Sequence, residues 1–187
     1  SGVGITLLGE GDPDYVEHKL IIMRVKAYVL LALAFLGLAA GSKRTKSVEG
    51  VNPGDKAPRI EFLENRPDAG FPNSSGRYVL VNFWAAYDAE SRADNVRMAN
   101  AISKMDSSKI VLCSISLDKK ESIFSETVKI DRLDEAYQFH ENLGEDSEIF
   151  KKYRLDRGLR NFLIDGEGTV IACDVTPDRL SEILSRN

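Results

Sequence analysis

An α/β fold, with a central sheet and helices packed against it, is predicted from three observations. The runs Val79–Ala85 and Ile110–Leu117 are apolar almost throughout, rich in β-branched and aromatic residues and short, so both read as strands buried on two faces. Between them Val96, Ala99, Ile102 and Met105 recur every three residues with polar residues between, the period of one helix face. Near the end, Gly166-Glu167-Gly168 separates two apolar stretches as a hairpin turn.

Composition bounds the function before any motif does. With 187 residues, 43% hydrophobic and 29% charged, the chain can bury one good core. A net charge of −4 offers no basic excess for nucleic acid. Two cysteines, Cys113 and Cys173, are too few for a disulfide framework.

The first 41 residues read as an N-terminal extension and an export signal. Residues 1–22 carry no strong periodicity, and Met23 is the expected start: Arg24 and Lys26 form a small basic region before the apolar stretch 27–38, followed by Ala39-Ala40-Gly41. As a helix, Ala27 to Gly41 would span roughly 22 Å, short of the roughly 30 Å of a bilayer core, which favours a cleaved signal over a permanent membrane helix or a soluble core helix. The residues Ala39-Ala40-Gly41-Ser42 resemble a bacterial lipobox with Ser42 where the lipid-bearing Cys stands. A natively Cys position 42 implies a lipid anchor, and Ser42 implies ordinary cleavage into the periplasm. Residues 42–53 are polar, basic at Lys43, Arg44 and Lys46, and read as a flexible tether, with contact to anionic lipid as the functional alternative.

Residues 54–187 form the expected domain. Gly54-Asp55-Lys56-Ala57-Pro58 leads into a short strand, Arg59–Leu63, and Pro67, Gly70, Pro72 and Gly76 mark a turn-rich connection to the first buried strand. After the second, residues 119–129 read as a short helix, 133–139 suit either element, and Ser147–Tyr153 is helical with Ile149, Phe150 and Tyr153 on one side. Thr169–Val175 is the return strand of the hairpin and Pro177–Leu184 the closing helix.

Two stretches carry a family resemblance. Val79–Arg92 reads VLVNFWAAYDAESR and Tyr153–Asp165 reads YRLDRGLRNFLID. With the Gly54–Pro58 entry they resemble the exported thioredoxin-like thiol-disulfide oxidoreductases of TlpA and ResA type, related to the AhpC/TSA peroxiredoxins. The resemblance implies a thioredoxin-like fold, a central mixed β-sheet flanked by helices, with chemistry at the turn after the first buried strand, the carboxyl end of the sheet. In those relatives the strand ends in Asn-Phe-Trp-Ala, matched by Asn82–Ala85, followed by Trp, here Tyr87, and by Cys-x-x-Cys. Asp88-Ala89-Glu90-Ser91 occupies the place of that dithiol. A second family element, a cis-proline facing the dithiol, corresponds to Leu159, with Arg160 next to it.

A dithiol site needs an exposed thiol of depressed pKa at a helix N-terminus and a second thiol to resolve the mixed disulfide. Neither Asp88 nor Ser91 supplies one, and a non-proline cis bond at Leu159 would cost about 2.5 to 4 kcal/mol, so that loop is expected trans and reshaped. Asp88 suits a helix N-cap, and Asp88 with Glu90 suits the positive end of the helix dipole; a hard-cation site of Asp88, Glu90 and Asp94 is the alternative. If Cys113 and Cys173 lie on strands with two others between them, they stand about 14 Å apart, beyond the roughly 7 Å limit for a disulfide. Both read as buried apolar residues, Cys173 on an edge strand. His140 stands alone and reads as a packing or solvent-facing residue. No phosphate loop or catalytic triad can be assembled, and no cofactor is expected. The former substrate groove, lined by Tyr87, Asp88, Glu90, Leu159 and Arg160, is expected to bind a peptide or protein of the cell envelope. Surviving redox work through Cys113 or Cys173 is the alternative.

Overall fold

Strand β1 (Gly76–Trp84) is the spine of a mixed five-stranded sheet. It pairs in parallel with β2 (Ile110–Ser116), which pairs in parallel with β3 (Gln138–His140). On its other side it runs antiparallel to β4 (Asn161–Gly166), and β4 to β5 (Val170–Cys173), giving the order β3-β2-β1-β4-β5. The computed structural model describes residues 17, 19–26, 28, 48–64 and 76–186. Except for Tyr28, the signal segment 27–38, the lipobox-like residues 39–42 and the connection 65–75 lie outside the described residues. Residues 1–46 and 47–187 form two separate units; in the first, residues 17, 19–26 and 28 are helical. Among the described residues no helix is long and apolar enough to cross a membrane.

The two-residue period of β1 divides the core. Val79, Val81 and Phe83 face one side with Val111, Cys113, Ile115, Phe162 and Ile164. Leu80 faces the other with Leu112 and Leu163, where Met98 of α2 (Ala89–Ile102) and Leu180 and Leu184 of α5 (Pro177–Ser185) cover the sheet. The first face is covered by α1 (Glu61–Glu64), by Ile149 of α4 (Glu148–Lys152) and by Tyr153, whose hydroxyl donates to Pro58 O at 2.8 Å. Helix α3 (Glu121–Ile130) buries Val128 and leaves Ile123 and Ile130 exposed.

Three expectations change. Arg59–Leu63 is no strand: Ile60 and Leu63 are both fully buried at a spacing of three, and the Leu63 N–H donates to Ile60 O, so the segment closes into the helical turn α1. The inward face of α2 is centred on Ser91, Asn95 and Met98; Ala99, Ile102 and Met105 pack against the core beside it, partly buried, and Val96 lies at its margin. Residues 48–53, within the span read as tether, lie against the domain: Glu49 bridges to Lys56, Val51 is buried, and the Gly50 N–H donates to Lys56 O. The following residues cover the outer side of β5, where Gly54 N–H donates to Val170 O, Val170 N–H to Asp55 O, and Ala57 N–H to Gly168 O. The stretch 133–139 resolves into a 3-10 turn, Glu135–Tyr137, leading into β3.

Candidate functional site

The carboxyl ends of β1 and β2 hold the turn that the sequence singles out. Strand β1 ends at Trp84 because the chain must swing into α2, and three side chains tie that swing down. Asp88 is the N-cap of α2, its Oδ1 accepting from the N–H groups of Glu90 (3.1 Å) and Ser91 (3.2 Å). Ser91 is buried; its Oγ accepts from Ala85 N–H at 3.3 Å and donates to Asp88 O at 3.2 Å. Asp118, just past β2, is 3% exposed and accepts the Ala86 N–H on both oxygens, at 3.1 and 2.9 Å, and the Ser116 hydroxyl at 2.8 Å. The first two groups are each occupied in holding the backbone.

Facing this turn is the Leu159–Arg160 loop. Gly158 enters it at φ +120, a conformation that strains any side-chain-bearing residue. Asn161 anchors it from below, its Oδ1 accepting from Val175 N–H at 2.7 Å and its Nδ2 donating to Val175 O at 3.1 Å. Phe83 N–H donates to Arg160 O at 3.1 Å, so the loop is stitched to β1. The Leu159 and Arg160 N–H groups have no acceptor among the described residues. Arg160 lies over the Phe162 ring and forms an ion pair with Asp174, its Nε and Nη2 donating to the two carboxylate oxygens, which raises its pKa further.

The five residues expected to line one groove divide between two. Glu90, Leu159 and Arg160 line a cleft of about 260 Å³ with Asp94, Asp174 and Pro177. Tyr87 opens instead on the other side of the turn, into a shallow depression of about 570 Å³ with Lys119, Ile123 and Glu145. Asp88 sits between them as the cap. The helix start separates them: Tyr87 precedes the extended cap residue Asp88, and Glu90 lies past it in the first helical turn, so the i, i+3 neighbourhood of a helix does not extend to this pair. Burial pushes the Tyr87 phenol up, and the carboxylates of Glu145, Asp118 and Asp88 add to this.

The acidic residues around Asp88 do not converge: Asp94 is paired with Arg97, and among the described residues no three His, Cys, Asp or Glu side chains are placed to hold a metal ion. Cys113 and Cys173 are free thiols on β2 and β5, with β1 and β4 between them. Cys113 is fully buried and its thiol is raised far above the ordinary range by desolvation. Cys173, on the outermost strand, is half-buried; desolvation raises its thiol, the Arg160 cation opposes this and Asp174 adds to it. His140 stacks on Phe124 at 5.1 Å with Nε2 2.5 Å from Asp118 O, a packing residue that backs the site.

Sequence reasoning missed Asp118 and Asn161 as the residues that hold the two loops. Their signal was positional: each is a polar side chain at the margin of an apolar strand, on the side of the sheet where the turn lies.

The chain is similar to a thioredoxin-like protein from Parabacteroides distasonis ATCC 8503, with 61% identity and a TM-score of 0.70 over 75% of this chain and 99% of that one. A thiol-disulfide oxidoreductase from Bacteroides fragilis NCTC 9343 shares 27% identity at a TM-score of 0.50, over 61% of this chain and 83% of that one. The thioredoxin domain of a thiol-disulfide oxidoreductase from Bacteroides vulgatus has the same fold at 20% identity and a TM-score of 0.51, over 59% and 79%. No protein-family model and no curated protein matches the chain.

Proposed function

The chain belongs to the thioredoxin-like proteins, and from that premise we propose that it binds a peptide or protein partner of the cell envelope without performing thiol-disulfide exchange. The observation that carries this reading is the use made of Asp88 and Ser91: one caps α2, the other is buried under the turn, and neither is free to act on a substrate. Beside them the cleft offers what an extended peptide needs. The N–H groups of Leu159 and Arg160 are available to a partner's carbonyls, and Glu90 and Arg160 provide charge of both signs. The envelope assignment rests on the basic, apolar and small-residue pattern of Arg24 to Ser42, with a lipid anchor if position 42 is natively Cys.

Dithiothreitol-driven insulin reduction by the whole chain, beside a variant carrying Asp88→Cys, Ser91→Cys and Leu159→Pro, tests the loss of chemistry. The variant is expected to be active and the parent inactive. An active parent overturns the proposal and favours redox work through Cys173, the one of the two thiols within reach of solvent. Peptides selected on the whole chain from a display library are expected to bind about fivefold more weakly to Arg160→Ala, roughly 1 kcal/mol. Selected peptides indifferent to that change would place the partner elsewhere.

A further inference from the structure

We propose that a cavity at the amino ends of the parallel strands, the opposite pole of the sheet from Asp88, binds a small carboxylate with an apolar body. The cavity measures about 700 Å³, within the range of small-molecule sites. Arg77 of β1, Ile110 of β2 and Gln138 of β3 reach it from the strand starts, and Ile102, Met105 and Leu133 give it apolar walls. Two of its residues carry buried donors without an acceptor among the described residues: Arg77 Nε and Gln138 Nε2. Native proteins rarely leave such groups unpaired.

The orientation of the Gln138 amide follows from the chain of side chains behind it. Asn95 Oδ1 accepts from Asn82 Nδ2 at 3.2 Å and from the Ser114 hydroxyl, which turns Asn95 Nδ2 towards Gln138 Oε1 at 3.1 Å. Gln138 is 6% exposed, its oxygen is taken, and its N–H₂ is what remains. Arg77 is held on one edge by the bond from Nη1 to Ser107 O at 3.2 Å, leaving Nε. Arg132 stands on the rim, and neither it nor Arg77 has an ion pair among the described residues. The acid on the wall is Asp134, whose Oδ1 accepts from Ala136 N–H. Two guanidinium groups against one carboxylate leave the cavity positive. A carboxylate accepts guanidinium and amide N–H groups together, and the aliphatic walls select a ligand with an apolar body.

Calorimetric titration of the whole chain with sodium octanoate, 1-octanol and inorganic phosphate tests this. Octanoate is expected to saturate a single site, with octanol about tenfold weaker for want of the charge-assisted bonds and phosphate showing no binding. Gln138→Leu and Arg77→Met are each expected to weaken octanoate about tenfold, and Ala99→Trp to abolish binding by filling the cavity. Octanoate that fails to bind, binds no better than octanol, or is unaffected by these changes overturns the proposal. Should the variants not fold, the side-chain amide resonance of Gln138 in the unaltered chain decides: it shifts on adding octanoate, or the proposal is wrong.

Discussion

Cys113 shows how one buried acid sets a pH limit on the whole domain. The unfolded chain loses this thiol proton near its ordinary value of 9.0, while burial keeps it bound in the fold. Its contribution to stability is therefore complete below about pH 9 and declines above it, by about 1.4 kcal/mol per pH unit. Tyr153, also buried with its phenol raised above 10.0, acts in the same direction at higher pH. Urea midpoints between pH 8 and 10 should fall more steeply for the parent than for Cys113→Ala, in which the raised thiol of Cys173 keeps a smaller slope of the same sign; parallel profiles would show that the Cys113 thiol is not protected by the fold. Burial of Cys113 was legible in the sequence, because it stands in the apolar run Ile110–Leu117, whereas Tyr153, between Lys152 and Arg154, showed only that it shares one side of a helical stretch with Ile149 and Phe150. The capping role of Asp88 was legible too, since a short acid at a strand-to-helix break has few other uses. The role of Asp118 was not legible, because a bond to a backbone N–H 32 residues earlier leaves no local trace.

The buried polar ladder of Asn82, Asn95, Ser114 and Gln138 joins three strands to α2 through side chains, on the face otherwise sealed by Leu80, Met98 and Leu180. Its cohesion is cooperative, because each amide's orientation depends on the next. Asn95→Leu is expected to destabilise by about 2 kcal/mol, by stranding Asn82 and Gln138. The double variant Asn95→Leu with Gln138→Leu should be destabilised by less than the two single losses combined, measured in a urea double-mutant cycle. Strict additivity would dissolve the ladder into independent contacts. The helix itself was readable from its three-residue recurrence, but its inward face only in part: Ala99, Ile102 and Met105 do pack against the core, at the edge of a face centred elsewhere. Periodicity counts apolar residues, and here Ser91 and Asn95 take two of the inward positions. The same blindness affected α1, where Ile60 and Leu63 fit helix and strand patterns about equally over so few residues.

The strand order was legible through resemblance, and the arrangement of the site around it was less so: Tyr87 and Arg160 fall on opposite sides of the turn, a separation that depends on helix geometry and not on sequence spacing. The start of the domain was not legible, because residues 48–53 carry only two separated valines, of which Val51 is buried and Val48 exposed. A fragment of residues 54–187 is expected to be about 2 kcal/mol less stable than 47–187, from the loss of Val51 and its neighbours. Its Cys173, no longer donating to Val51 O at 3.2 Å, should be alkylated faster under native conditions. Equal stability and equal alkylation would restore these residues to the tether. The three backbone bonds that 54–57 makes along Gly168 and Val170 also occupy part of the outer rim of β5. A bare strand rim is a template for the rim of another copy, so a protease that cut just after residue 57 would release a domain prone to stack into aggregates. Loss of the few residues sealing β5 is thus expected to promote self-association, and exposure to cleavage at that point would govern how long the protein stays dispersed.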